Sequence, residues 1–266
     1  MELPDGWTTE TVRANGVDLQ VYRGGAADGP TLVAVHGFGG SGRCWLPLAT
    51  DLTDRYRVLT YDARAHGQSA APETGYAVAD RVDDLCGLLD ALELDDPVLL
   101  GHSMGAGTVA HAAAAEPSRP RAVVLEDPVA VHEHDPDSTA EERVAAVREQ
   151  VPEGRPVERL LDEEYDDVDP EWARRLAVAD TELAPTAAEY ARHTYPAPLR
   201  AVFPGLDAPT LVLRSDRDHE ERVRDLAAGD ALPDGRLVHV PDAGHYVFAD
   251  RYDAAMAELR AFLTRV

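Results

Sequence analysis

The chain has 266 residues, of which 44% are hydrophobic, so it can bury a sizeable core, most simply as one α/β domain with an insertion. Its formal net charge of −24 at pH 7 argues against a nucleic acid or an anionic membrane surface as a partner. It has only two cysteines and no apolar run of membrane length, so we expect a soluble cytoplasmic protein without a disulfide framework.

The first elements are a predicted hairpin and a buried strand. Apolar and polar residues alternate around a turn at Asn15 and Gly16, which is typical of a β-hairpin. The continuous apolar run at 31–35 predicts a strand buried on both faces, as in a parallel sheet. A loop with the sequence HGFG follows at 36–39. Because its glycines let the backbone approach a ligand, we expect the amide of Phe38 to be an oxyanion donor.

The next strand is predicted at 57–61, and a loop with the sequence DARAHGQS follows it at 62–69. His66 lies in this loop and is a candidate catalytic base, but its position in a turn favours a structural role. We interpret the polar residues of the loop as groups that tie it together by hydrogen bonds. Apolar residues then recur at helical spacing between 78 and 94, which predicts a helix.

A strand, a tight turn and a helix are predicted around residues 97–115, where PVLL is followed by GHSMG and an alanine-rich segment. The pattern G-x-S-x-G at such a junction is that of a nucleophile elbow, which lifts a serine hydroxyl above the edge of the sheet. Ser103 is therefore the candidate nucleophile. The helix after it directs free backbone amides at the oxygen that Ser103 attacks, so we expect the amide of Met104 to be the second oxyanion donor.

Residues 129–200 differ from the rest of the chain, because charge density rises, prolines recur and the periodic stretches are helical. We interpret this segment as a helical cap inserted over the active site, so that 1–128 and 201–266 form the core. His132 and His134 could suggest a metal, but no convincing third ligand accompanies them. The sequence therefore predicts no metal site.

The core resumes with strands predicted at 209–213 and 235–240, the first followed by an acidic loop and the second by a loop that contains His245. Strands that alternate with helices predict a mostly parallel sheet covered on both faces. A serine hydroxyl is a weak nucleophile without an adjacent base, so we expect His245 to take the proton of Ser103. The order serine, acid, histidine is the one typical of α/β hydrolases.

The sequence resembles the serine-nucleophile, capped members of the α/β-hydrolase superfamily, such as esterases and lactonases. The resemblance lies in the motifs at 36–39, 62–69 and 101–105, in the acidic loop and at His245, which together span nearly the whole chain. The resemblance implies the α/β-hydrolase fold: a mostly parallel eight-stranded sheet with helices on both faces and an inserted helical cap. It favours Asp218, in the acidic loop, as the acid that orients His245. Some members carry the acid after the preceding strand, which makes Asp127 the alternative.

The resemblance further implies hydrolysis of a small-molecule ester or lactone through an acyl-Ser103 intermediate, without a cofactor. A serine at the elbow argues against haloalkane dehalogenase or epoxide hydrolase chemistry, which uses an aspartate there. The alternatives are a carbon–carbon bond hydrolase or a cofactor-free lyase on the same fold, and a non-catalytic small-molecule binder. Five residues around the motifs are expected to contact the substrate: His36, Gly37, Trp45, His102 and Tyr246.

A small-molecule substrate is the partner that the sequence predicts, and the oligomeric state stays open. The chain carries 49 acidic and 25 basic residues, and every basic residue is an arginine. A dense carboxylate surface of this kind is typical of halophilic proteins, because it stays hydrated in concentrated salt. At low ionic strength the same charges repel one another, so we expect dilute buffer to destabilise the fold.

Overall fold

The computed structural model describes residues 2–132, 138–151 and 154–266. Its strands are β1 (Thr8–Ala14), β2 (Val17–Gly25), β3 (Thr31–Val35), β4 (Arg57–Tyr61), β5 (Val98–His102), β6 (Ala122–Glu126), β7 (Thr210–Arg214) and β8 (Gly235–His239). They form one eight-stranded sheet in the order β1-β2-β4-β3-β5-β6-β7-β8. The pairs β1 with β2 and β2 with β4 are antiparallel, and all other neighbours are parallel. The predicted eight-stranded, mostly parallel sheet is confirmed.

The helices are α1 (Leu46–Thr50), α2 (Val78–Ala91), α3 (Met104–Ala115), α4 (Ala140–Gln150), α5 (Val157–Glu163), α6 (Pro170–Thr181), α7 (His219–Gly229), α8 (Val247–Asp250) and α9 (Tyr252–Leu263). None of those in the described residues is long and apolar enough to cross a membrane.

Both faces of the sheet are buried, as the apolar strands predict. Along β3, Val33 and Val35 face the apolar cluster that contains residues of α2 and α3, whereas Leu32 and Ala34 face a second cluster with residues of α1 and α9. Alternate residues of a strand point to opposite faces, so a continuous apolar run can serve two cores at once.

The segment between β6 and β7 supplies α4, α5, α6 and a 3₁₀ helix at Pro185–Arg192. In the described parts of 129–200 no strand occurs, which agrees with the helical pattern of its sequence. Because β6 and β7 are hydrogen-bonded neighbours, this segment leaves and re-enters the sheet at adjacent strands. It leaves β6 at the carboxyl edge of the sheet, where Ser103 lies, and enters β7 at the opposite edge, because the two strands are parallel.

Candidate active site

The elbow holds Ser103 in a strained backbone conformation between β5 and α3. Its φ of 51° and ψ of −112° lie outside the helical and extended regions that a serine ordinarily adopts. Two glycines make this turn possible, since a Cβ on Gly105 would lie 2.3 Å from the carbonyl oxygen of Val35 and one on Gly101 would lie 2.5 Å from that of Gly105. Only glycine fits at either position.

The side chains of Ser103, His245 and Asp127 form a continuous hydrogen-bonded chain. His245 Nε2 lies 2.9 Å from Ser103 Oγ, and His245 Nδ1 lies 2.7 Å from Asp127 Oδ2. Asp127 directly follows β6, and His245 lies in the loop after β8. An Nδ1–H donated to the carboxylate leaves Nε2 free to accept the serine proton.

The Asp127 carboxylate is buried, with 1% of the residue exposed, and it is held from several sides. Its Oδ1 accepts hydrogen bonds from the amide of Ser215 at 3.2 Å and from the Ser215 hydroxyl at 3.0 Å, and it lies 2.9 Å from Arg214 Nη1. Burial by itself raises the pKa of this carboxyl, but the hydrogen bond with His245 and the charge of Arg214 outweigh it. The pKa of Asp127 is therefore lowered, and the group is ionised at neutral pH.

Asp218 does not contact His245, which corrects the expectation that it is the acid of the site. Its side chain caps α7 instead, where it accepts a hydrogen bond of 2.9 Å from the amide of Glu221. The chain turns into α7 directly after Asp218, so the first turn of that helix competes for the carboxylate. The alternative acid, Asp127, occupies the place beside His245.

The loop after β3 lies against the nucleophile. A Cβ on Gly37 would lie 3.1 Å from Ser103 Cβ and 2.6 Å from His102 Nδ1. The amide of Gly39 donates to His66 Nε2 in the loop after β4, and the amide of Gly40 donates to the carbonyl of Gly37. The turn, loop and cap hydrogen bonds of the described residues include none donated by the amide of Phe38 or of Met104. Both expected oxyanion donors are thus available to a ligand.

Two neutral histidines fix the shape of this loop. His36 Nε2 accepts from the amide of Ala63 at 2.9 Å, so its proton is on Nδ1 and is donated to the carbonyl of Gly37 at 2.7 Å. His66 is arranged alike: Nε2 accepts from Gly39 at 3.2 Å, and Nδ1 donates to the carbonyl of Arg64 at 2.9 Å. Burial lowers the pKa of His36, and burial together with the neighbouring His36 lowers that of His66 to about 3. His66 is therefore not placed as a base, and the polar atoms of His36 are occupied within the loop.

A small cavity, lined in part by His102 next to the nucleophile, has a volume of about 20 Å³, room for about one water molecule. All five expected substrate contacts line it: His36, Gly37, Trp45, His102 and Tyr246. Nε2 of His102 donates to the carbonyl of His245 at 3.0 Å. Burial and the neighbouring His245 lower the pKa of His102 to about 3, so it positions the His245 loop as a neutral ring.

A larger cavity of about 240 Å³ has Ser103 itself in its lining. Phe38, Ser103 and Met104 line it together with residues at or just before the start of α2 and residues of the segment between β6 and β7: Tyr76, Val78, Arg81, Val129, Val147, Tyr190, Ala191, His193 and Tyr195. Sequence reasoning did not single out Arg81. Its spacing could have identified it, because Arg81 lies between Val78 and Leu85 at the helical spacing of the apolar face of α2.

Among the described residues, no group of three or more His, Cys, Asp and Glu side chains could hold a metal ion. His134, the second histidine of the pair noted in the sequence, lies outside the described residues. His132 Nε2 lies 2.8 Å from Oδ1 of Asp225, on α7.

Comparison with known proteins places the chain in a family. The sequence model of the alpha/beta hydrolase fold family matches residues 30–252. A 2-(acetamidomethylene)succinate hydrolase of Mesorhizobium japonicum is 30% identical over 253 residues, which cover 91% of this chain and 90% of that protein. The crystal structure of an enol-lactonase from Burkholderia xenovorans superposes with a TM-score of 0.75 at 26% identity, over 96% of this chain and 100% of that one. An esterase from Exiguobacterium antarcticum shares the fold with a TM-score of 0.77 at 23% identity, over 97% and 100% of the two chains. The chain therefore belongs to the α/β-hydrolase fold family, as its motifs and sheet predict, and is an α/β-fold hydrolase.

Proposed function

We propose that this hydrolase cleaves a small-molecule ester or lactone through an acyl-Ser103 intermediate, with Ser103, His245 and Asp127 as its catalytic triad. The observation that carries the proposal is the unbroken chain of hydrogen bonds, 2.9 Å from Ser103 to His245 and 2.7 Å from His245 to Asp127. These lengths and atoms are those that a serine nucleophile, its base and an orienting acid require.

In the first half of the reaction, His245 Nε2 takes the proton of Ser103 as Oγ attacks the carbonyl carbon. The carbonyl oxygen gains negative charge, which the amides of Phe38 and Met104 stabilise by hydrogen bonds. The ionised Asp127 stabilises the imidazolium that forms. When the tetrahedral intermediate collapses, His245 returns the proton to the departing alcohol oxygen and the acyl group stays on Ser103.

In the second half, His245 takes a proton from a water molecule, whose oxygen attacks the acyl carbon. Collapse of the second tetrahedral intermediate breaks the bond to Ser103 Oγ, which regains its proton from His245. The products are a carboxylic acid and an alcohol, or one hydroxy acid when the substrate is a lactone.

The segment at 129–200 acts in this proposal as the cap that shapes the pocket. Its Tyr190 and Tyr195 line the larger cavity beside Ser103, and its Trp172 and Leu176 line the smaller one. Walls supplied by an insertion let the pocket vary while the core keeps its geometry.

The relatives favour small polar substrates. The 30% identical relative is named for a succinate that carries an acetamidomethylene group, and the solved structure at 26% identity is named an enol-lactonase. The second name supports the inclusion of small lactones in the substrate panel beside simple esters.

The test pairs a covalent probe with a substrate series. Wild type and Ser103→Ala are treated with a fluorophosphonate and analysed by intact mass, and both are assayed on p-nitrophenyl esters of increasing acyl length and on small lactones. We expect one adduct, located on Ser103, and turnover that peaks at one acyl length and is lost in Ser103→Ala.

Two results would change the conclusion. A wild type that neither reacts with the probe nor turns over any ester or lactone contradicts a serine hydrolase. Labelling of Ser103 without turnover of the panel contradicts the ester or lactone substrate, and moves the assignment to carbon–carbon bonds.

A further inference from the structure

Arg81 is a buried cation in the cavity that contains the nucleophile. It lies on the inner face of α2 with 7% of the residue exposed, and it lines the larger cavity together with Ser103 and Met104. A cation at this place on an apolar helix face costs desolvation energy unless something compensates its charge.

The other buried arginines of the described chain that lie near the site have carboxylate partners, and Arg81 has none. Arg64 donates from Nε to Asp84 at 2.6 Å, and Arg214 lies 2.9 Å from Asp127. Within the described residues, Arg81 takes part in no ion pair, and the one hydrogen bond of its side chain is a weak one of 3.4 Å from Nη2 to the Tyr195 hydroxyl. Its Nε is buried without a hydrogen-bond partner.

Two tyrosine rings hold the guanidinium in place. Its central carbon lies 5.2 Å from the ring centre of Tyr190 and 5.7 Å from that of Tyr195. Contacts with ring faces stabilise the charge but do not use the N–H groups, which point along the plane of the guanidinium. The arrangement therefore fixes the side chain and leaves donors for a ligand.

We propose that Arg81 binds a carboxylate of the substrate, so that the substrate is a small ester or lactone that also carries a carboxylate group. This inference rests on the proposed function, because it assigns a substrate class to the same pocket. A carboxylate matches the planar donors of a guanidinium and neutralises the buried charge. The hydroxyl of Tyr195 lies beside it as a further donor.

The size of the cavity limits the substrate to a compact acid. About 240 Å³ is enough for a chain of a few carbons but not for a long acyl group. Ser103 and Arg81 both line this cavity, so one compact molecule can place its scissile bond at Ser103 and its carboxylate at Arg81. The carboxylate can belong to the acyl part or to the alcohol part of the substrate. Testing one substrate of each kind shows which part carries it.

The experiment compares charged and uncharged substrates of similar shape. Monomethyl adipate is paired with methyl hexanoate for a carboxylate on the acyl side, and 4-acetoxybutyrate with pentyl acetate for one on the alcohol side. We expect the charged member of one pair to have the higher kcat/KM by about 10-fold or more, since hydrogen bonds to charged groups contribute about 1.5–3 kcal/mol.

Arg81→Gln should lower the charged-to-uncharged ratio of that pair by about 10- to 100-fold, mainly through KM, because the carboxylate is bound equally before and during the reaction. Arg81→Lys keeps the cation without the planar fork and should keep part of the preference. The matched control is Arg13→Gln, which removes an arginine whose side chain is 67% exposed on β1 and should leave the ratio unchanged.

A purely structural role for Arg81 would affect both members of a pair alike. Circular dichroism checks that each variant is folded, and Arg81→Lys carries the test if Arg81→Gln does not fold. Equal kcat/KM for the charged and uncharged members of both pairs in the wild type overturns the proposal, and so does a ratio that survives in both Arg81 variants.

Calorimetry with adipate separates this proposal from the proposed function, because binding needs no turnover. Adipate binding to the wild type that is lost in Arg81→Gln supports the carboxylate site even if no ester is cleaved. Labelling of Ser103 and turnover of the uncharged esters, without adipate binding and without preference for a charged substrate, overturns the carboxylate site and leaves the hydrolase intact.

Discussion

Asp127 and Arg214 form a buried ion pair, with 2.9 Å between Oδ1 of the carboxylate and Nη1 of the guanidinium. The two residues are brought together by the sheet, since Glu126 of β6 is paired with Leu213 of β7 and each chain continues by one residue. The other edge of Arg214 lies 3.0 Å from Asp225 Oδ2. The carboxylate beside His245 is thus positioned by a neighbouring strand and not by its own loop alone.

The first prediction separates the two candidate acids. Asp127→Asn should lower kcat by about 10⁴-fold, because an amide cannot hold His245 in the required tautomer or stabilise its charged form. Asp218→Asn should leave kcat unchanged, since asparagine caps a helix about as well as aspartate does. Ester hydrolysis by the two variants, measured side by side, decides the matter, and equal activity in both would exclude Asp127 as the acid.

The second prediction concerns the ion pair itself. Arg214→Gln leaves the carboxylates of Asp127 and Asp225 buried with less compensation, so we expect unfolding free energy to fall by about 3–5 kcal/mol at pH 7. Arg222→Gln is the control, because Arg222 forms an ion pair with Asp216 at the surface, where such pairs contribute about 0–1 kcal/mol. Urea unfolding measures both. Equal decreases in unfolding free energy in the two variants would show that the buried ion pair contributes no more to stability than the surface pair.

The third prediction tests the approach of the loop after β3 to the nucleophile. A methyl group at Gly37 would lie 2.6 Å from His102 Nδ1 and 3.1 Å from Ser103 Cβ, so Gly37→Ala must displace the loop. We expect kcat to fall by about 100-fold or more, because the amide of Phe38 then misses the oxyanion. In Gly205→Ala the added carbon meets its nearest neighbour at 3.6 Å, an ordinary contact, and turnover should be unchanged. A Gly37→Ala enzyme with normal kcat would remove Phe38 from the oxyanion site.

Local patterns were sufficient to predict the sheet and the elbow. The strands β3 to β7 form from continuous apolar runs, and the turn at Ser103 forms because glycines flank it. Both features depend only on residues that are adjacent in sequence, so the sequence predicts them. The same is true of the loop at 36–39, whose glycines permit its approach to Ser103.

The acid could not be chosen in that way, because Asp127 and Asp218 both follow a strand that ends at the same edge. The choice depends on competition: α7 begins directly after Asp218 and takes its carboxylate as a cap, while the pairing of β6 with β7 sets Asp127 beside Arg214. Arg81 was missed for a different reason. Its helical spacing marked it as inward-facing, but only the folded chain shows that no carboxylate of the described residues forms an ion pair with it.

The fourth prediction follows from the net charge of −24. Raising NaCl from about 0.01 M to about 1 M shortens the Debye length from about 30 Å to about 3 Å and screens the repulsion among surface carboxylates. We expect the thermal midpoint to rise by at least about 2–4 °C, the equivalent of roughly 1 kcal/mol for a chain of this size. A midpoint that does not rise between these two salt concentrations would show that repulsion among the carboxylates does not limit the stability of the fold.

The fifth prediction uses Glu126, which neighbours Asp127 and is 3% exposed. Burial, and to a lesser degree the charge of Asp127, raises the pKa of Glu126 from 4.5 to about 8, although the amide of Phe248 donates to it at 2.9 Å. Between these two pKa values the folded state keeps a proton that the unfolded state has released. Unfolding free energy should therefore fall as pH rises through this window, by on the order of 5 kcal/mol in total.

Glu126→Gln removes this dependence, because the amide stays neutral and its oxygen still accepts from Phe248. We expect the variant to be more stable than the wild type at pH 9 and to lose that advantage as the pH is lowered toward 5, where Glu126 is protonated in the folded wild type and its burial costs little. Other titrating groups, Asp127 among them, are present in both proteins. Their contributions to the pH dependence of the unfolding free energy cancel to first order when the two proteins are compared. Urea unfolding of the pair at several pH values gives that difference directly, and a gap that does not change with pH would show that Glu126 is ionised in the folded protein throughout.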